Sequence, residues 1–444
     1  MNKRKTILQG LSIVLILSFS NISGSPSISS DRLPTPENID GSTLANIPSV
    51  DVAIQSFQAR IKQNPQDAVT YTLLAGQYIR QARETGDVTG YQRAESVLKE
   101  SLTLLPEYTP ASTSLASVYY ARHEFMKALE LAQKDYEKNS KNTQALVIIG
   151  DAQLSLGNYQ EAETAYQQLY EKGATPPVLA RLAALEELKG NPRQGLEFIR
   201  RAAGEALQSG GTRESVAWYV LRVADLYFNT GQYKQAGGYY EAALRIFGNY
   251  HLALAGLGKV SAAQGDYEKA IAYYQQAVNI IPQPDHLAAL GDLYTLTNQP
   301  EQAQVQYKTV EYIGKLAGIN KQVYNRQLAN FYSDHDLHVR EALRLALVEL
   351  ESRKDVYGYD AAAWAQYKNG NFKGAQALMD QALTLGTHDA LLYYHAGMIA
   401  LKLGEEAQAR KFLEQVMEIN PHFSILQSEQ ARITLQSLQL KAAK

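Results

Sequence analysis

Within residues 226–278, LYFNTGQYKQAGGYYEAALRIFGNYHLALAGLGKVSAAQGDYEKAIAYYQQAV, one pattern occurs twice. Gly231, Tyr233, Ala236, Tyr240 and Ala243 return as Gly265, Tyr267, Ala270, Tyr274 and Ala277, each 34 residues later. A period of this length marks a stacked array, in which each unit buries its apolar face only against its neighbours. Length alone, at 444 residues, would suggest two or three globular domains. The repeat replaces that expectation.

Beyond residue 50 the apolar positions fall at helical spacing, with glycine and proline punctuating the chain every 12 to 17 residues. In the quoted unit Val220, Val223, Ala224 and Tyr227 form one apolar face at i, i+3, i+4 and i+7. Ala224 is small because a second helix crosses there, and helices approach to roughly 8–10 Å only over short side chains. Ala116, Gly150, Ala183, Gly258, Gly291, Ala363 and Gly397 stand at the same offset in other units. Gly231 ends the first helix by accepting positive φ, as Gly157, Gly190, Gly265, Gly370 and Gly404 do elsewhere, with Asn298 as substitute. In the second helix Ala236 packs back on the first, Tyr240 fills the gap toward the next unit, and Ala243 lets that unit approach. Pro65, Pro106, Pro282 and Pro421 close units by blocking helix continuation.

Two antiparallel helices and a tight turn per 34 residues resemble the tetratricopeptide repeat from Asp51 to Phe423. The resemblance implies an all-α superhelix with a concave inner face. Residues 51–216 read as a half-repeat (Ala53, Phe57, Pro65) and four repeats, and residues 217–423 as six more. The ten units begin near 68, 109, 143, 176, 217, 251, 284, 322, 356 and 390. RETGDVTG reads as a bulge between the helices of the first unit. GEALQSGGTRE separates the fourth from the fifth and reads as a hinge, while residues 424–444 form a capping helix. The eighth unit lacks the turn glycine.

The family resemblance also implies that the first helix of each pair lines the concave surface, so that residues outside the packing register face a ligand. Trp218 and Trp364 stand off the core offsets, and Arg222 and Asp225 share the Trp218 stripe. Asp292, Arg326, Asn330, Asp360 and Tyr394 occupy comparable positions, alongside Asp151 and His395. Aromatic anchors beside arginine are the usual composition of an interface hot spot. The carboxylate clamp of cytosolic co-chaperones of this fold is incomplete: Arg326 and Asn330 imitate its first pair, but Ala361 stands where an asparagine is required.

The N-terminus reads MNKRK and then TILQGLSIVLILSFS, the layout of a secretory signal peptide over residues 1–24, with cleavage before Ser25. An uncleaved signal anchor is the alternative. Residues 25–50, rich in Ser and Pro, read as a disordered tether. The absence of cysteine agrees with an oxidising compartment. A net charge of −2 gives no nucleic-acid footprint.

No nucleophile elbow, phosphate loop, zinc-protease or dinucleotide motif occurs in the sequence. SDHDLH gathers Asp334, His335, Asp336 and His338, a metal-like density, but in a turn where short polar residues terminate a helix. No metal, cofactor or catalytic set is expected, and no membrane span once the signal is removed. These readings point to a non-enzymatic scaffold outside the cytoplasm, periplasmic or secreted, that binds an extended peptide or helix of one or more partner proteins in its groove, in envelope assembly or export. The alternative is a carbohydrate or small-ligand binding protein linked to polysaccharide export.

Overall fold

A computed structural model describes residues 34–39, 41, 44, 49–319 and 325–442. The signal-peptide reading of residues 1–24 lies outside the described residues. Those residues form 22 α-helices, α1 (Val50–Gln63) to α22 (Gln427–Ala442), and no strand.

The pairs are α2 (Ala68–Thr85) with α3 (Thr89–Leu104), α4 (Thr109–Ala121) with α5 (Phe125–Lys138), and α6 (Thr143–Ser155) with α7 (Tyr159–Lys172). They continue as α8 (Pro176–Leu188) with α9 (Pro192–Ser209), α10 (Arg213–Asn229) with α11 (Tyr233–Ile246), and α12 (His251–Ala263) with α13 (Tyr267–Ile280). The last four are α14 (Pro284–Leu296) with α15 (Pro300–Ile319), α16 (Asn325–Asp334) with α17 (Val339–Ser352), α18 (Val356–Lys368) with α19 (Phe372–Ala382), and α20 (Ala390–Lys402) with α21 (Glu406–Ile419). Each pair coincides with one expected unit.

Within a pair the small residue admits an aromatic ring. A Cβ at Gly150 or Gly258 would stand 2.5 or 2.6 Å from the Tyr166 or Tyr274 ring. Tyr240 reaches the other way as well, lying so close to Gly256 of the next repeat that a methyl there would overlap its ring. Tyr166, Tyr240 and Tyr274 are each 1 % exposed, so each buries an aromatic worth roughly 2 kcal/mol of transfer free energy. The turn glycines take positive φ, and Asn298 does so at 57°. In the eighth unit Asp336 (φ 53°) replaces the missing glycine, and His123 (φ 61°) does so in the second.

Three local expectations are corrected. The first unit has no bulge; its additional residues lengthen α2 to 18 residues, which ends on Gly86 in the left-handed region. The insertion between the fourth and fifth units is likewise absorbed into an 18-residue α9, and a single apolar cluster from Leu179 to Val260 runs across the junction. A continuous core there leaves no hinge. Finally, part of the expected tether is ordered: Pro36–Asn38 form a 3₁₀ turn, and Ile39 is 1 % exposed.

Successive turns of the superhelix touch. The intra-repeat turn of the third repeat meets the linker before α18, where Lys354 N–H donates to Ser155 O at 3.0 Å and Val356 N–H donates to Tyr159 Oη at 2.9 Å. The fourth repeat's turn meets the linker before α20, Thr387 Oγ1 donating to Leu188 O at 2.5 Å. The fifth meets the segment after α21, where Asn420 Nδ2 donates to Phe228 O at 2.9 Å and Tyr233 Oη donates to Asn420 Oδ1 at 2.6 Å. Each turn thus docks on the linker closing the repeat five units further on. Near the N-terminal end Arg83 of α2 pairs with Glu214 of α10. The inner face is therefore a channel bounded by touching turns along these contacts.

Candidate functional site

The inner helices carry acids immediately after the small packing residue, and the next helix satisfies them. Asp151, Asp225 and Asp292 accept from Tyr166, Tyr240 and Tyr307, each 15 residues later, at 2.8, 2.7 and 2.9 Å. Arg181, 2 % exposed, holds Asp151 through two bonds of 2.7 Å from the following repeat. Arg222 joins Asp225 at 2.9 Å and Glu187 of the preceding repeat at 3.2 Å. His335 Nε2 meets Asp292 at 2.7 Å, and His395 Nδ1 meets Asp360 at 2.8 Å. The tyrosine bonds and the Arg222–Asp225 pair lie within a repeat, while the Arg181, Arg222–Glu187 and histidine contacts register one repeat against the next.

The expectation that both tryptophans stand outside the packing is corrected. Trp218 is 7 % exposed and Trp364 2 %. The Trp364 indole stacks between His395 (centroids 4.1 Å apart) and Tyr367 (4.7 Å), and its Nε1 donates to Asp334 at 2.8 Å. Tyr394 and Asp360 are buried too, and Arg326 lies 3.6 Å from Asp355. In so closed a superhelix the side chains beside the packing register meet the neighbouring repeat before they meet solvent.

Two of the expected residues, Asp292 and Asn330, line a cavity of about 630 Å³ in the channel. α12, α14 and α16 supply one side of it, through Lys259, Asp285, Ala289 and Phe331 among others. The segment from Met417 to Arg432 closes it with Phe423 and Ile425. Gln427 of α22 donates from Nε2 to Asp334 at 2.7 Å, while its buried Oε1 has no hydrogen-bond partner among the described residues. Asp334 receives two neutral donors and pairs with no cation there; burial pushes its carboxyl above the usual range, against the pull of His395 and the Trp364 hydrogen bond. His335 shifts upward: burial opposes its charged form, but the hydrogen bond and charge of Asp292 outweigh it. The result is an acceptor-rich space with aromatic walls, suited to a ligand presenting hydrogen-bond donors beside apolar groups.

Lys259, Asp285 and Asp334 were not expected in such a site. Lys259 could have been found, since it follows Gly258 as Asp292 follows Gly291. The closing segment carries no repeat signal that would place it across the channel. The metal-like cluster disperses: Asp334 faces Trp364 and Gln427, His335 faces Asp292, Asp336 faces Lys368 at 2.8 Å, and His338 faces Glu311 at 3.1 Å. Among the described residues no group of three or more His, Cys, Asp or Glu side chains is placed to hold a metal, and no helix is long and apolar enough to cross a membrane.

Family models described as tetratricopeptide repeat match residues 216–283 and 366–433, and a model described as anaphase-promoting complex, cyclosome, subunit 3 matches residues 88–169. The chain is 23 % identical over 314 residues to cellulose synthase operon protein C of Komagataeibacter xylinus, covering 69 % of this chain and 23 % of that protein. It is 22 % identical over 321 residues to a TPR repeat-containing protein of Methanocaldococcus jannaschii, covering 68 % of this chain and 55 % of that one. The chain thus spans about a quarter of the first relative's length and about half of the second's. Among solved structures, yeast Tom70 aligns over 89 % of this chain and 93 % of its own with a TM-score of 0.38 and 13 % identity. Human IFIT1 aligns over 76 % and 78 % with a TM-score of 0.49 and 14 % identity. With ten stacked helix pairs in the register of the repeat and two family matches centred on those pairs, the chain belongs to the tetratricopeptide repeat proteins.

Proposed function

We propose that the protein is a non-enzymatic scaffold acting outside the cytoplasm, which receives an extended segment or helix of a partner protein in the channel cavity, in envelope assembly or export. The observation that carries this reading is the cavity itself: about 630 Å³ between the inner helices and the Met417–Arg432 segment, with Phe331 and Phe423 as apolar walls and Asp285, Asp334 and Gln427 as acceptors. A preorganised site of this kind loses little entropy on binding. A partner side chain bearing donors on an apolar stem, such as lysine or arginine, satisfies both features. Asp292 and Asn330 are the expected groove residues we assign to this site. Trp218, Arg222, Asp225, Arg326, Asp360, Trp364 and Tyr394 support it by holding adjacent repeats in register. The basic and then apolar N-terminus supports the location.

A second reading is favoured by one observation. The relatives include three cellulose synthase operon C proteins, so a polysaccharide chain is the competing ligand. Aromatic walls and acids would serve a sugar as well.

A photo-crosslinking amino acid at Ala289, on the cavity wall, and another at Val305, 59 % exposed on an outer helix, separate the readings in living cells. Protein adducts at Ala289 and none at Val305 are expected. Glycan adducts at Ala289 would favour the second reading, and equal labelling at both positions would remove the cavity assignment. Mass determination of the mature N-terminus tests export.

A further inference from the structure

The fifth repeat departs from its neighbours on its outer helix. α11 reads YKQAGGYYEAALRI, with two adjacent glycines where a helix interior disfavours them. Its inward positions, Ala236, Tyr240 and Ala243, are those of every repeat. A second stripe, Tyr239, Ala242 and Ile246, is buried as well, at 3 %, 0 % and 2 % exposure. One repeat later the positions equivalent to Ala242 and Ile246 are Gln276 and Ile280, and both are exposed. Something covers α11 that does not cover α13.

The cover is the chain's own N-terminal segment. Tyr239 Oη donates to Pro34 O at 2.9 Å, and the Arg245 guanidinium donates to Ile39 O at 3.3 Å and to Pro36 O. These bonds engage backbone carbonyls at and beside the 3₁₀ turn, so they hold the segment by its main chain. Ile39 and Leu44, at 1 % and 5 % exposure, join the apolar cluster that contains Tyr239, Ala242 and Ile246. A Cβ at Gly238 would stand 3.2 Å from Pro36 Cβ and Cγ, so the second glycine makes room for the proline ring. Prolines at 34 and 36 restrict the free segment and lower the entropy lost on docking.

We propose that the outer face of α11 is a docking site for a short segment carrying prolines and a branched apolar residue, and that residues 34–39 and Leu44 of the same chain occupy it. The site lies on the outer helix of the fifth repeat, so it is independent of the channel cavity and of any ligand there. Held in cis, the segment is present at a high effective concentration, and a free segment of the same chemistry competes poorly until the resident one is released.

The chain contains no cysteine, which makes the first test clean. A full-length Pro36→Cys, Gly238→Cys variant places two Cβ atoms close to disulfide range. Oxidation is expected to give a cross-linked monomer. A cross-linked dimer would assign the site to a second copy's segment and overturn occupancy in cis, and a failure to cross-link would overturn the docking itself. The second test uses a fluorescent peptide of residues 33–45 and fluorescence anisotropy. Full-length Ile39→Asp, which releases the resident segment while its helical circular dichroism is unchanged, is expected to bind the peptide at least tenfold more tightly than the wild type does. Adding Gly238→Val to that variant is expected to abolish binding. Equal affinities of Ile39→Asp and wild type for the peptide, or binding that survives Gly238→Val, would overturn the proposal.

Discussion

Glu187 shows how packing between repeats changes the chemistry of a single side chain. Burial pushes its carboxyl up to about 7; Arg222 pulls it down, while Asp225 and Asp389 raise it further. The folded chain therefore favours the protonated acid relative to the unfolded chain, whose carboxyl titrates near 4.5. The associated stability is complete below about pH 4.5 and is lost as pH rises through about 7. Glu187→Gln, which fixes the neutral form, is expected to gain about 2 kcal/mol over the wild type between pH 5 and pH 8, read as a difference in thermal midpoint at the two pH values. Parallel profiles would show that Glu187 stays ionised throughout. At this scale the sequence was least legible. Trp218 and Trp364 stand off the packing offsets along the chain, yet both are buried, because burial there depends on how closely the next repeat's helix approaches. Asp334 was visible only as a member of a polar turn, and its place beside the cavity depends on Gln427, 93 residues away.

The helix pairs, by contrast, were legible almost to the residue, because each is fixed by local rules: a small crossing residue, a left-handed turn residue, a ring to fill the gap. What a helix turn touches is another matter. Gly190 and Gly265 occupy equivalent turns with φ of 76° and 79°. Gly265 has open space around it, whereas a methyl at Gly190 would overlap the Gly386 carbonyl of the docked linker. Gly265→Ala is expected to cost about 1 kcal/mol, the strain of a left-handed alanine alone. Gly190→Ala is expected to cost about 3 kcal/mol, since the docked linker must move as well. Thermal midpoints of the two variants measured side by side check the difference, and equal losses would mean that the linker yields freely. The same reasoning explains the two insertions, which read as a bulge and a hinge. Nothing in RETGDVTG or GEALQSGGTRE reveals that a neighbouring helix is long enough to absorb them as additional turns.

At the scale of the whole molecule the repeat predicted a superhelix but not how tightly it winds, since pitch is the sum of many small rotations between neighbours. The contacts from the third, fourth and fifth repeats to the linkers closing the eighth, ninth and tenth fix that sum. Asn420 is central to the last of them, 2 % exposed and bonded to both Phe228 and Tyr233. Asn420→Ala is expected to cost about 2 kcal/mol by leaving the Tyr233 hydroxyl without its acceptor and by removing the second donor to the Phe228 carbonyl, which keeps the Gly231 N–H. It is also expected to enlarge the radius of gyration in small-angle X-ray scattering by loosening one superhelical turn from the next. An unchanged scattering curve would assign the winding to nearest-neighbour packing alone.

The turn-to-linker contacts also impose an order on biosynthesis. A ribosome delivers the third repeat long before the linker it docks on, nearly 200 residues downstream. Until the eighth repeat has emerged, the nascent solenoid carries bare glycine turns and unmet backbone carbonyls along one rim. That rim stays open to other contacts until the arrival of the last three repeats closes it.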